Sequence, residues 1–427
     1  MTDLQIRGLG PAFSAYLRPF HAYCNQERTT PHFDAYCHAL LTDAPRKTAE
    51  PNALASGTAV RTLQKFLTTT DWDHYGVRDA FQKQMSQILK TCPKSDPLGT
   101  VGIIDETSCL KKGDKTPGVQ RQYLGCVGKV DNGIVTIHLA VSRGTFRTLL
   151  DADLYLPNSW DEDRGRCEAA GIPEEKRYEP KWKIALEQLK RCQGNGVSFD
   201  WLTFDEGYGS KPEFVQSLVS SGQKFSGEIP KNFMVSGRSG SSRRVDMILP
   251  ASRASQGKRC RLKRETCPDQ IWQASGTKVR VGDCWMFAVV AVSVTTGEVK
   301  YFLVSGTTSV RMALRVGFRR WTVEHLFRVA KQEVGLMHYE GRKYQGLMRH
   351  LILSLLVLGF VSIQTDRLRG EKSGDHIGAG ESSVESALSG AAGSASSRLG
   401  FGACGDRDSL SSDAECGRSQ VASQTNA

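Results

Sequence analysis

Thr100-Val101-Gly102-Ile103-Ile104-Asp105 is a short apolar run that ends in an acid. A run of this kind, without alternating polar residues, suits a strand buried on both faces. Far downstream, Phe199-Asp200-Trp201-Leu202-Thr203-Phe204-Asp205 is another strand that ends in an acid. Between them, Gln122 to Val130 and Ile134 to Val141 read as two further strands, with Asp131-Asn132-Gly133 as the hairpin signal joining them. Pro157 to Pro180 is a charged loop region, and a helix follows around Trp182 to Cys192. After Asp205, Gly207-Tyr208-Gly209 makes a turn, Pro212 to Ser221 a helix, and Lys224 to Ile229 a fifth strand.

Three strands, a helix, a strand, a helix and a strand is the order of a mixed sheet of RNase H type. In that topology the first and fourth strands are neighbours, so Asp105 and Asp205 are expected to meet. A third acid stands on the helical stretch Arg320-Trp321-Thr322-Val323-Glu324-His325-Leu326-Phe327-Arg328-Val329-Ala330-Lys331. Val323, Leu326, Phe327, Ala330, Val334 and Met337 make its apolar face. Arg320, Glu324, Arg328 and Lys331 recur at similar spacing on another face, which offers one carboxylate among cations. That arrangement suits a metal beside a phosphate chain, and equally a surface ion-pair ladder.

The expected fold class is α/β: an RNase H-like mixed sheet, a helical N-terminal domain, and a β-rich insertion before the helix that bears Glu324. Residues 1–95 read as the helical domain, with a stripe over Phe13, Tyr16, Leu17 and Phe20. Helices are also expected from Phe33 to Leu41 and from Thr58 to Phe66, and Asp71-Trp72-Asp73 reads as a cap for a helix containing Val77, Phe81 and Ile88. Residues 96–230 form the first part of the core, with Pro93 to Pro97 as linker. The insertion spans 231–310: a basic segment with Arg238, Arg243, Arg244, Lys258, Arg259, Arg261, Lys263 and Arg264, then strands at Ile271 to Ala274, Lys278 to Val281, Cys284 to Val294 and Val299 to Ser305. Trp272 and Trp285 suit either base stacking or core packing. Residues 311–366 complete the core, including an apolar helix near Leu351 to Ile363 that is too short for a bilayer, which needs roughly 20 residues. The Ser/Gly-rich tail, 367–427, is too poor in large apolar residues to offset ordering.

Lys plus Arg number 56 against 45 Asp plus Glu, a net charge of +11, so a polyanion is the simplest partner. Twelve Cys without a CxxC pair or zinc spacing point to reduced thiols, hence a cytoplasmic protein. No signal peptide is visible at Met1-Thr2-Asp3-Leu4. Three acids invite phosphodiester chemistry: two Mg²⁺ ions about 3.5–4 Å apart can activate a nucleophile and stabilise a leaving oxygen. Mg²⁺ prefers hard carboxylate oxygens, with Mn²⁺ a possible substitute. Arg320 and Lys331 would then contact phosphates.

Ile104-Asp105-Glu106-Thr107 with Lys111-Lys112-Gly113, then Gly118-Val119-Gln120-Arg121-Gln122-Tyr123-Leu124-Gly125 and Gly128-Lys129-Val130-Asp131-Asn132, resembles the first catalytic block of bacterial insertion-sequence DDE transposases. Leu154-Tyr155-Leu156-Pro157 with Trp160, Gly171-Ile172-Pro173, Asp205-Glu206-Gly207-Tyr208-Gly209 and the leader Pro45-Arg46-Lys47-Thr48-Ala49-Glu50 are similar to other parts of that family. Arg320, Glu324 and Lys331 fall at the spacing of the family's Tyr-x2-Arg-x3-Glu-x6-Lys signature, with Gly317 at the Tyr position and Phe318 beside it. The resemblance covers roughly residues 10–350. It implies Mg²⁺-dependent cleavage at element ends and strand transfer into a target. Asp105, Asp205 and Glu324 are carried over as metal ligands and catalytic residues, and Arg320 and Lys331 as DNA contacts. Arg328, Arg121, Lys129 and Trp285 join the expected DNA-binding set. The implied partners are double-stranded DNA at terminal inverted repeats and target, and a second copy in a homodimer on paired ends; the implied setting is bacterial, cytoplasmic and nucleoid-associated, without a membrane. The competing readings are an RNase H-like nuclease without strand transfer and a retired DNA-binding derivative.

Overall fold

The computed structural model describes residues 3–92, 96–237, 240–262 and 269–373. The expected tail beyond 373, residues 93–95 of the linker, and Arg238, Lys263 and Arg264 of the basic segment lie outside the described residues.

The chain opens with helices α1 (Asp3–Leu17), α2 (Thr30–Leu40), α3 (Ala49–Ser56), α4 (Val60–Thr68) and α5 (His74–Thr91). The expected cap is present: Asp73 Oδ1 accepts the Gly76 N–H at 2.8 Å and starts α5. The central strands are β1 (Val101–Leu110), β2 (Gln120–Leu124), β3 (Lys129–Arg143) and β4 (Phe146–Leu154). Helices α6 (Asn158–Asp161), α7 (Arg164–Ala170) and α8 (Lys181–Gly194) lead to β5 (Trp201–Phe204), α9 (Glu206–Gly209), α10 (Pro212–Ser220) and β6 (Phe225–Ile229). Next come β7 (Met234–Ser236), β8 (Ser242–Arg244), α11 (Val245–Ile248), α12 (Ser252–Ser255), β9 (Lys258–Leu262), β10 (Gln270–Val281), β11 (Cys284–Ser293) and β12 (Val299–Ser305). Helices α13 (Val310–Gly317), α14 (Trp321–Gln332) and α15 (Tyr344–Ser373) close the described chain.

The sheet order β4-β3-β1-β5-β6 forms the mixed core, in which β1 runs antiparallel to β3 and parallel to β5. This is the RNase H-like α/β fold. Asp105 lies within β1, which runs on to Leu110, rather than at its end, and the expected loop over 157–180 contains α6 and α7. Two further details differ from expectation. The segment Asp131-Asn132-Gly133 is not a turn but lies within β3, paired with Gln122, Arg121 and Gln120 of β2. The turn falls instead at Gly125 to Gly128. Asn132 Nδ2 donates to the Lys111 and Gly113 carbonyls at 2.7 and 2.8 Å, so its side chain ties the strand to a neighbouring loop. Gly133 serves close approach: a Cβ there would overlap the Cys109 carbonyl. The second difference is β4, which the sequence pattern left unassigned. Its Asp151 and Asp153 interrupt the apolar run, yet both are buried, bonded to Arg191 of α8.

The insertion extends the same sheet. β12 pairs antiparallel with β6, and β11 and β10 continue outward. The two short strands expected at 271–274 and 278–281 are one strand, β10. One face of this extension carries a separate apolar cluster, including Trp272, Phe287, Val289, Phe302, Ala313, Leu314 and Phe318. Trp272 is thus a core residue, whereas Trp285 is 58% exposed.

Helix α15 is longer than the expected core helix. It is long and apolar enough to cross a membrane, but its apolar stretch within Tyr344–Arg369 is almost wholly buried within the protein. It packs on α2, α4, α5 and β4. The buried Arg349 fastens it there, donating to the Phe66 and Trp72 carbonyls at 3.1 and 3.0 Å with its guanidinium 4.6 Å from the Trp72 ring. Three carbonyl acceptors and an aromatic face replace the water this cation loses.

Candidate functional site

The parallel pairing of β1 with β5 sets Ile104 opposite Phe204, so Asp105 and Asp205 are the next residues on neighbouring strands. Asp205 follows the last residue of β5, whereas Asp105 lies midway along β1, which continues to Leu110. Asp105 is buried: its Oδ1 accepts the Glu106 N–H at 2.8 Å, and its Oδ2 accepts from Arg320 Nη1 at 3.0 Å. Asp205 is half-buried and caps α9, with Oδ1 accepting the Tyr208 N–H at 3.2 Å.

Burial pushes the Asp105 carboxyl up to about 7; the Arg320 guanidinium opposes the shift, and the nearby Asp205 charge adds to it. Arg320 is itself desolvated, yet Asp105, Asp205 and Glu228 raise its pKa and hold its charge. Its position follows from local packing. Thr203 Oγ1 of β5 donates to the Gly317 carbonyl at 3.2 Å, and Ser226 Oγ of β6 donates to the Ala313 carbonyl at 2.8 Å. Phe318 packs between Trp272 and Trp321, with ring centroids 4.7 and 4.3 Å away. These contacts clamp the α13–α14 junction to the sheet, immediately before Arg320. A side chain at Gly317 would run into the Phe302 ring, which accounts for a glycine where the signature has Tyr.

Glu324 follows Arg320 by one helical turn, on α14, and is exposed. The structure therefore brings together Asp105, Asp205 and Arg320 but leaves Glu324 apart. Among the described residues, no group of three or more His, Cys, Asp or Glu side chains is close enough to hold a metal ion. The acid pair by itself fits a divalent cation as two hard oxygen donors.

The other expected DNA contacts are dispersed. Lys331 is half-buried; desolvation lowers its pKa, opposed by Cys126 and Cys109. Arg328 is exposed and lies 2.6 Å from His325 Nδ1. Arg121 and Lys129 are exposed on the β2–β3 hairpin, beside Tyr123, which is 61% exposed. Lys129 also lies 3.3 Å from Asp131. Trp285 lines an open cavity of about 780 Å³ with Lys278, Thr307 and Thr308, at the far end of the sheet.

Sequence reasoning missed three neighbours of the acid pair. Glu106 is held by Lys181 of α8 at 2.8 Å, Glu228 by Lys300 at 2.6 Å, and Tyr208 is buried next to Asp205. Adjacency to the two acids marks Glu106 and Tyr208, but Glu228 becomes visible only once β6 lies beside β5.

A family model described as DDE superfamily endonuclease matches residues 19–270, more than half of the 427. The matched span includes Asp105 and Asp205 and ends before Glu324. A curated relative from Microchaete diplosiphon, named "Probable transposase for insertion sequence element IS701", is 33% identical over 208 residues, 48% of this chain and 48% of the relative. The aligned part thus spans about half the length of that relative. DDE superfamily endonucleases are generally dependent on a divalent metal. With two acids side by side on neighbouring strands of an RNase H-like sheet, and a family match that contains both, the chain belongs to the DDE superfamily endonucleases.

Proposed function

We propose that this protein is an insertion-sequence transposase, cleaving DNA at element ends and joining the freed ends to target DNA with Mg²⁺, or Mn²⁺ in its place. The observation that supports this most is the juxtaposition of Asp105 and Asp205 beside Arg320. Asp105 and Asp205 would hold the ion, and Glu324 would join them as third donor. The anchoring of its helix to the pair through Arg320, one turn earlier, favours this. Bound there, divalent ions supply nucleophile activation and leaving-group stabilisation.

The chain's own groups do the rest. Arg320 neutralises Asp105 and keeps the junction before α14 against β1. Arg121 and Lys129 on the β2–β3 hairpin, Arg328 and Lys331 on α14, and Trp285 are assigned to phosphate and base contact. The basic excess suits a DNA partner, and a homodimer on paired ends would engage both element termini. The helical N-terminal segment, 1–95, is assigned to DNA docking.

Purified protein, Mg²⁺, a pre-nicked terminal-repeat duplex and a supercoiled target plasmid test the reading: joined products are expected. Cleavage without joining would favour a nuclease that lacks strand transfer. The exposure of Glu324 favours, as second reading, a derivative that binds DNA without cutting it, and Glu324→Gln separates the two. It should abolish cleavage in the transposase and change nothing in the derivative.

A further inference from the structure

A cavity of about 20 Å³ lies where α14 and α15 pack against the start of β4. Its polar wall is drawn from all three elements: Arg147 of β4, His325 of α14, and Thr365 and Arg369 of α15. Among the described residues that line it, none is acidic. Asp366 follows Thr365 but serves Thr145, whose Oγ1 donates to its Oδ1 at 2.6 Å. Arg328 Nη2 lies 2.6 Å from His325 Nδ1, and a guanidinium only donates, so Nδ1 accepts and Nε2 carries the proton. The wall is therefore made of donors and positive charge.

Thr365 is 5% exposed, and its hydroxyl has no hydrogen-bond partner within the protein. A buried hydroxyl left unpaired destabilises a fold, so an acceptor in the cavity is called for. The volume admits one oxygen atom, since a water needs about 10–15 Å³. A water would satisfy Thr365 alone, but two guanidiniums brought to one cavity repel each other, and an oxyanion between them offsets that repulsion. We propose that the groove between α14 and α15 binds one phosphate of a DNA strand. One phosphate oxygen enters the cavity to meet Thr365, and the others face Arg147, Arg369 and His325. Because His325 directly follows Glu324, the bound phosphate lies beside the helix that carries the third proposed metal donor. This rests on DNA as the partner proposed above.

The experiment measures binding of a fluorescein-labelled, random-sequence DNA duplex to the full chain by anisotropy, over a range of salt. Thr365→Val removes the hydroxyl and keeps the shape. Its affinity is expected to fall roughly tenfold, as for a hydrogen bond to a charged group, with the wild-type salt slope and an equal or higher melting temperature. Arg369→Gln, and separately Arg147→Gln, should flatten the slope of log K against log salt by roughly 1. Wild-type affinity in Thr365→Val, or the wild-type slope in both Arg variants, overturns the site. So does a Thr365→Val chain that melts well below the wild type, because the hydroxyl then has a partner inside the fold. If inorganic phosphate raises the melting temperature of the wild type but not of Thr365→Val while duplex binding is unchanged, the groove takes a free anion and the proposal falls. A wild type that binds no duplex removes the DNA partner itself, and the groove's role with it.

Discussion

Replacing Arg191 with Met should destabilise the fold, and by more at high pH than at low. Arg191 Nη1 donates to both Asp151 oxygens at 3.0 and 3.2 Å and to Asp153 Oδ2 at 3.3 Å. Asp151 is fully buried and also accepts from Gln82 at 3.0 Å, while Gln188 donates to Asp153 at 3.0 Å. Without the guanidinium, two buried carboxylates share no cation in contact, and breaking a buried ion pair on one side costs about 3–5 kcal/mol. The pH dependence has a definite sign. Burial raises Asp151 from 3.8 to about 6, so across that window the folded chain binds more protons than the unfolded one, and this group's contribution falls as pH rises. Asp153, despite its burial, is held below the usual range by Arg191, Lys176 and the Gln188 bond, so its contribution is lost as pH falls. In Arg191→Met both carboxylates lose their cation and both pKa values rise. The deficit against wild type should then be full at pH 8 and shrink towards pH 5 as the pair protonates. Urea unfolding followed by circular dichroism at the two pH values measures this. An unchanged midpoint at pH 8, or a larger deficit at pH 5, refutes the reasoning.

Asp105→Asn and Asp205→Asn should each abolish cleavage of a terminal-repeat duplex while leaving mobility-shift binding largely intact; cleavage at the wild-type rate would remove both from the site. Trp272→Ala should cost about 3–5 kcal/mol in unfolding free energy, as for other buried aromatic truncations, whereas Trp285→Ala should leave stability nearly unchanged and weaken DNA binding. The double change Arg121→Ala with Lys129→Ala should flatten the slope of log K against log salt by roughly 2 if each side chain neutralises one phosphate of duplex DNA. An unaltered slope would take the β2–β3 hairpin off the DNA path.

Much of the core was legible because short-range physics fixes it. The apolar runs ahead of Asp105 and Asp205 read as buried strands and are so; Asp205 does follow the end of β5, but β1 runs on past Asp105 to Leu110 because its second half pairs with β3. The Asp73 cap and the periodic faces of α8, α10 and α14 belong to the same class: one hydrogen bond or one apolar stripe, readable within a turn or two of helix. The hairpin was misplaced for a reason just as physical. Asn-Gly favours a tight turn in isolation, but Asn132 finds the Lys111 and Gly113 carbonyls and Gly133 faces the Cys109 carbonyl, so cross-strand contacts outweigh the local preference.

The sequence by itself determined which acids follow the apolar runs of two core strands, which helix carries Glu324, and that the protein carries excess positive charge. Only the tertiary structure decided that Arg320 reaches Asp105, that β4 buries two aspartates against Arg191, and that the insertion extends the sheet through β12. Each of these depends on partners tens to hundreds of positions apart, and a linear pattern records what a residue prefers but not which distant group will satisfy it.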